Sequence, residues 1–197
     1  MRHKISEFLT LQEIQDLYRQ CDKTTEKGLR DFCILSLILH TGLRRAEIPA
    51  LRRENLQVQG KTLYLYARTK GDKSKKIPLK DLELLESLQR YFKKLGLDEA
   101  PTAALFFSVS KNSLGHRRPI TAETIRRIVE TKIKQAKISK RITPHSLRHT
   151  FITQALHAGA DIKTVQALAG HSNVSTTSRY LHTTDERMEA AIEKLKF

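Results

Sequence analysis

Cysteine is nearly missing from this chain. Its two copies, Cys21 and Cys33, have neither the close paired spacing of a metal site nor a disulfide-rich setting, so they read as thiols near a helical core. No apolar run is long enough to cross a membrane, and the N-terminal MRHKISEFL has too short an apolar segment for a signal peptide. A cytoplasmic protein is therefore expected. Internal repeats, low-complexity tracts and linkers are also lacking, so residues 1–197 are expected to form a single domain. Acid is scarce: 21 Asp and Glu stand against 36 Lys and Arg, a net charge of +15. That imbalance points to a polyanionic partner, either nucleic acid or an anionic membrane. With no amphipathic basic terminus to favour a membrane, nucleic acid is expected.

What the chain does have is concentrated between Thr143 and Tyr180. Thr143 is a natural N-cap and Pro144 fits the first helical position, so a helix should start here and run to Gly159. His145 and Arg148 lie three residues apart on one face of it, while Leu147, Phe151 and Ala155 recur every four residues on another. A second helix opens at Asp161, with Ile162, Val165, Leu168 and Ala169 as its apolar stripe, and stops at Gly170. His171 follows at once, and Tyr180 comes nine residues later. A tyrosine has a pKa of about 10, so only on the order of one in a thousand is phenolate near neutral pH. Nucleophilic use of Tyr180 needs nearby cations and donors, which this stretch supplies.

The remaining elements are expected to be mostly helical. Thr10 and Glu13 form a capping box ahead of a helix to about Cys21. A longer helix from Glu26 to His40 carries FCILSLIL, apolar enough to be central, and Gly42 ends it. A short helix restarts near Arg45, with Pro49 tolerable only in its first turn. Leu56 to Val58 and Thr62 to Ala67 alternate as a hairpin around Gln59-Gly60, and Lys76 to Leu79 add a third strand beyond the tip TKGDKSK. Asp81 to Leu95 is an amphipathic helix stopped by Gly96. Leu97 to Pro119 reads as mostly loop, with Leu105-Phe106-Phe107 buried. Thr121 caps a helix to about Ala136 that is basic on one side, carrying Arg126, Arg127, Lys132 and Lys134. Asp185 caps a last amphipathic helix with Met188, Ala191, Ile192 and Leu195 as its stripe. The fold class expected is mainly α with a small three-stranded antiparallel β-sheet, an α+β domain.

Two further segments complete the candidate site. TGLRRAE puts Arg44 on a tight turn beside Glu47, and the tip TKGDK puts Lys70 where a long side chain can reach across a groove. With PHSLRH and LAGH followed by tyrosine, these motifs resemble the catalytic domain of the tyrosine recombinase (phage integrase) family. The resemblance runs from about Leu9 to the C-terminus, and the motifs stand in the family's order. Singly, each residue has a duller explanation. Arg44 could be a solvated or capping charge, Lys70 one of a solvated run with Arg68, Lys73, Lys75 and Lys76, and His171 a C-cap. Tyr180 could be a core-edge tyrosine like Tyr64 or Tyr66, which share a strand face. His145 and His149 at helical spacing suggest a metal, but Arg148 between them would repel a cation.

The resemblance implies DNA strand exchange through a covalent intermediate. Tyr180 would attack a scissile phosphate, leaving a 3′-phosphotyrosyl enzyme and a free 5′-hydroxyl. Arg44 and Arg148 would clamp the non-bridging oxygens, since a guanidinium fork donates two bonds and stays charged. Lys70 would protonate the leaving oxygen, His145 would accept a proton or bind the phosphate, and His171 would donate to it. Glu47 would orient the arginine turn without chemistry. No metal and no cofactor is required, because the arginines take the part that ions play elsewhere. The implied partners are double-stranded DNA and further copies of the chain, dimer to tetramer, assembled on it, with Arg68, Lys73, Arg126 and Arg127 contacting DNA. The C-terminal helix, residues 185–197, would dock on a neighbouring protomer.

Two departures from the family pattern stand out: Arg45, where an aliphatic or polar residue is more usual, and Pro49, in a segment that is normally plain helix. The family's N-terminal DNA-clamping domain is expected to be absent, as only about eight residues precede the first helix. That suits either an excised catalytic domain or the short stand-alone group resembling the fimbrial-switch invertases. A type IB topoisomerase is the competing enzyme, although that family generally has lysine where His145 stands. A non-catalytic DNA-binding regulator on the same fold is the competing binding protein.

Overall fold

The apolar run FCILSLIL forms the middle of a helix in which every residue from Gly28 to Thr41 is buried except His40. Such burial on all sides requires neighbours all round, and the chain supplies them. The computed structural model describes residues 7–68, 74–97 and 100–169. Its helices are α1 (Leu11–Arg19), α2 (Glu26–Thr41), α3 (Leu82–Leu95), α4 (Ala122–Gln135), α5 (Pro144–His157) and α6 (Ile162–Ala169). The central helix is α2, with α3, α4 and α5 packed against it. Strands β1 (Leu56–Gln59), β2 (Thr62–Arg68) and β3 (Ser74–Leu79) form one antiparallel sheet in that order, and β4 (Phe107–Lys111) pairs with β5 (Arg117–Pro119). The mainly α fold with a small three-stranded sheet is as expected.

Caps set the helix ends. Thr10 and Glu13 make the anticipated reciprocal box at α1, with Glu13 N–H bonded to Thr10 Oγ1 at 3.2 Å and Thr10 N–H to Glu13 Oε2 at 2.7 Å. Thr25 accepts from Gly28 N–H at 3.0 Å to begin α2. Gly42 ends it in the left-handed region, with φ of 62°. The N-terminal segment is drawn onto α5: Leu9 is fully buried, and its N–H donates to Thr150 Oγ1 at 3.0 Å. Both cysteines are buried free thiols, and burial pushes the Cys21 thiol up to about 12, where it is inert as a nucleophile.

Several local expectations are corrected. The hairpin pairs Gln59 with Thr62, so its two-residue turn is Gly60-Lys61, one position later than Gln59-Gly60. Gly60 takes the positive φ, 59°, that such a turn needs. Strand β3 begins at Ser74, two residues before Lys76. No α-helix restarts at Arg45. The chain first closes a turn in which Glu47 N–H bonds Arg44 O at 2.9 Å, and only Ile48–Ala50 form a 3₁₀ turn, with Pro49 in its first positions. Proline lacks the N–H that a longer helix would use. The stretch from Leu97 to Pro119 is mostly loop as expected, but two short strands, β4 and β5, also lie within it. Their irregular register and exposed polar residues left no period-two pattern to read. Leu105 and Phe106 are buried as expected, whereas Phe107 is only partly buried. The basic face of α4 also loses a member: Lys132 is buried, and its Nζ donates to Gln20 O at 2.6 Å.

Gly42 has two reasons to be glycine. Its φ is positive, and a Cβ there would meet Phe151 Cδ1 at 2.5 Å. Gly42→Ala should cost about 1–2 kcal/mol for the left-handed backbone and about 1–3 kcal/mol for overpacking against Phe151. Urea unfolding of the variant should show a lower midpoint at unchanged m-value. A midpoint equal to that of the parent would mean that the α2–α5 junction yields without cost.

Candidate active site

Helix α5 is built to project one side chain and bury its neighbour. Thr143 Oγ1 accepts from Ser146 N–H at 3.2 Å, and Ser146 Oγ accepts from Thr143 N–H at 3.1 Å, which fixes the first turn with Pro144 inside it. His145 on that turn is exposed, while Arg148 one turn later is 2% exposed. A guanidinium so buried needs acceptors. One is the Gly42 carbonyl at the end of α2, which takes a bond from Arg148 Nη1.

The same glycine delivers Arg44 two residues on. Glu47 Oε2 accepts from Arg44 N–H at 2.7 Å, and Glu47 Oε1 from Arg44 Nη1 at 3.0 Å. One carboxylate thus holds both the backbone and the head of Arg44. The Glu47 side chain is 10% exposed and that of Arg44 is 42% exposed, so the acid sits behind and the arginine faces out. Arg44, Arg45, His145 and Arg148 line a cleft of about 380 Å³ closed by Ala46 and the Thr143-Pro144 turn. Its described lining holds three guanidiniums and an imidazole, with no carboxylate. Such a cleft suits an anion.

The charges are mutually adjusted. Partial burial, followed by Arg148 and then Arg44, holds the His145 imidazole below its ordinary value. It is therefore neutral near pH 7 and able to accept a proton or a hydrogen bond. His149 is also lowered, by burial and then by His145, and its ring stacks on Phe8 with centroids 6.3 Å apart. The two histidines therefore face different neighbours.

Of the residues singled out from sequence, Arg44, Glu47, His145 and Arg148 come together here. Lys70, Lys73, His171, Tyr180 and the helix expected over residues 185–197 lie outside the described residues. Arg68 is exposed at the end of β2, opposite Ser74. Arg126 is heavily engaged on α4, bonding Glu123 at 2.6 and 2.8 Å and Glu130 at 2.5 and 2.6 Å. Arg127 bonds Glu123 at 3.0 Å while remaining largely exposed. The positive face of α4 is thus substantially neutralised by its own acids, which a list of basic residues did not reveal. Two site residues escaped the sequence reasoning. Arg45, treated there as a departure, lines the cleft. Lys75, treated as one of a charge run, is half-buried on the inner face of β3. Its signal was the alternation with Ile77 and Leu79.

The Phage integrase family profile matches residues 7–187. The chain belongs to that family. Among curated relatives of this phage integrase family member, a tyrosine recombinase of Pseudothermotoga lettingae is 39% identical over 195 residues, covering 99% of this chain and 63% of the relative. The tyrosine recombinase XerC of Staphylococcus haemolyticus is 32% identical over 186 residues, covering 93% and 59% respectively. The chain therefore spans about three fifths of the curated relatives it matches. Among solved structures, XerA recombinase superposes with a TM-score of 0.76 at 27% identity, covering all of this chain and 67% of that one. The XerH recombinase bound to its difH substrate gives 0.78 at 24% identity, covering 97% and 54%, and shares the fold. The fold is that of tyrosine recombinase catalytic domains. Among the described residues no helix is long and apolar enough to cross a membrane.

The lowered His145 value carries a sign. Folding reduces the proton affinity of this imidazole, so the unfolded chain binds the proton more readily. Stability contributed by His145 is therefore present above the ordinary histidine value of about 6.5 and is lost as pH falls from there through the lower folded value. An NMR titration of the His145 ring should give a midpoint below about 6.5, and Arg44→Ala should raise it. A midpoint at or above the ordinary value would remove the arginines as neighbours that matter.

Proposed function

We propose that this protein is a site-specific DNA recombinase that cleaves and rejoins duplex DNA through a 3′-phosphotyrosyl intermediate. The observation that carries the reading is the pairing of Arg44 and Arg148 in one acid-free cleft beside neutral His145, in a chain of the phage integrase family. In this reading the two guanidiniums bind the non-bridging oxygens of the scissile phosphate and balance the charge that builds up during attack. Tyr180 supplies the nucleophile. Its oxygen forms the bond to phosphorus as the 5′-oxygen leaves, Lys70 gives that oxygen a proton, and His145 takes the tyrosine proton or binds the phosphate. His171 donates to the phosphate as well. Glu47 keeps Arg44 aimed and takes no part in the chemistry.

The phosphotyrosyl bond conserves the energy of the broken phosphodiester, so an incoming 5′-hydroxyl can reseal the strand without nucleotide hydrolysis. Two fixed arginines also replace the metal ions used by many phosphoryl-transfer sites. The net charge of +15 favours DNA as the partner. Arg68, Lys73, Arg126 and Arg127 remain the proposed backbone contacts, with Arg126 the weakest of them because Glu123 and Glu130 hold it. Exchange needs several active sites on one DNA assembly, so self-association on DNA, with residues 185–197 passed to a neighbouring copy, belongs to the same proposal. Residues 1–197 act in it as one catalytic domain in the cytoplasm.

Adduct trapping tests the reading. Incubated with a randomised duplex library and resolved on a denaturing gel, the parent protein should retain DNA covalently, and the sequences recovered should define a site. Tyr180→Phe should form no adduct while binding DNA within a few-fold, because one hydroxyl contributes little to a charge-dominated interface. An adduct formed by Tyr180→Phe would overturn the nucleophile. Adduct yield should also persist in a chelator, and a metal requirement would contradict the arginine clamp.

A further inference from the structure

Arg45 lines the cleft but has no task in the chemistry proposed above. Glu47 N–H bonds the Arg44 carbonyl at 2.9 Å, so Arg45 and Ala46 are the two central residues of a turn. Leu43 and Ile48 on either side are buried and pin that turn to the core, and Pro49 stiffens its exit. The backbone of Arg45 is thus fixed, while its side chain is exposed. Adjacent arginines are treated differently here. Glu47 holds both the backbone and the head of Arg44. Among the described residues no carboxylate pairs with Arg45, and Ala46 beside it is too small to cover it. Arg148 is buried, Arg44 partly exposed and Arg45 exposed, so the three cations step outward from the core.

A phosphodiester carries a single negative charge and gains a second as a nucleophile adds to phosphorus. Arg44 and Arg148 together match those charges, so a third guanidinium is surplus to one phosphate group. We propose that Arg45 binds the phosphate next to the scissile one on the same DNA strand, so that the cleft holds two consecutive phosphates and sets which of them meets Arg44 and Arg148. The inference rests on the recombinase reading above and adds a substrate-binding residue to its site. Consecutive phosphates of a strand lie about 3.4 Å apart along the duplex axis. A cleft of about 380 Å³ is of the size that takes a whole small-molecule ligand, so there is room for both. The flanking phosphate keeps the same charge before and during attack. Its contact therefore acts on affinity and register, and not on the barrier.

The first measurement needs no reaction. Anisotropy titrations of the full chain with a duplex of random sequence, at salt from about 50 to 200 mM, give the slope of log Kd against log salt. Arg45→Met should lower that slope by about 0.9 and weaken binding roughly three- to tenfold, and Arg45→Lys should restore both. An unchanged slope in Arg45→Met would overturn the contact. The second measurement uses the site recovered by adduct trapping, with one neutral methylphosphonate in place of either phosphate beside the scissile one. In the parent, one of the two replacements should weaken binding by a similar factor. In Arg45→Met the same replacement should cost nothing further, because its partner is already gone. Full additivity at both positions would also overturn the proposal. At saturating duplex, Arg44→Met should lose adduct rate, whereas the loss in Arg45→Met should fall chiefly on affinity. A saturated rate lost as heavily in Arg45→Met would put Arg45 on the scissile phosphate and overturn the flanking role. If the parent forms no adduct on any duplex while Arg45→Met still lowers the salt slope, the phosphate contact stands and the recombinase reading fails.

Discussion

The bond from the Arg148 guanidinium to the Gly42 carbonyl joins the two halves of the site. The last carbonyls of any helix lack intrahelical partners, and the end of α2 is buried, so water cannot serve them. A buried arginine cannot stay unsatisfied either. Each group removes part of the other's cost, and the bond brings the chain leaving α2 against α5. Arg44, which must come soon after Gly42, is then delivered beside Arg148. Because Gly42 also has a positive φ and lies against the Phe151 ring, a larger residue at the junction would be strained.

Charge in this protein is distributed by a simple economy. Acids are outnumbered, and several of those present hold particular cations: Glu47 holds Arg44, Asp31 holds Arg30, Glu26 holds Arg117, and Glu123 with Glu130 holds Arg126. Lysines drawn into the fold use backbone carbonyls instead, as buried Lys132 does at Gln20 and half-buried Lys75 at Leu168. The two strategies differ in effect. A carboxylate cancels the cation's field, whereas a carbonyl fixes its place and leaves its charge. The cleft combines them, with one carboxylate behind Arg44 and a carbonyl beneath Arg148.

Long-period signals were legible in the sequence and short ones were not. The apolar run of α2, the capping box at Thr10, the N-cap at Thr143 with Pro144 behind it, and the alternation of β2 each involve several residues acting together, and all appear as expected. Turns depend on single residues and slipped by a position, as at Gly60. The β4–β5 pair has almost no buried face to impose a pattern. Within the site, Arg44, Glu47, His145 and Arg148 were found because their types and order form recognisable motifs. Arg45 was not, because an arginine beside an arginine carries no local mark. Lys75 was passed over because it stands in a run of lysines, although its alternation with Ile77 and Leu79 marked it as the one that turns inward.

The Thr150 hydroxyl accepts from Leu9 N–H and donates to Ser146 O at 2.9 Å, so the segment before α1 is stitched to the first turns of the helix bearing His145 and Arg148. The Gln154 side chain adds a bond to the Leu9 carbonyl at 3.3 Å. Mechanically, this makes α5 the anchor of the N-terminal segment. A tension or twist applied at residue 7 is shared between Arg141 and Lys140, which bond Glu7 and Phe8 just ahead of α5, and Thr150 within it. Whatever pulls on that end of the chain therefore acts on α5 and on the segment that leads into it.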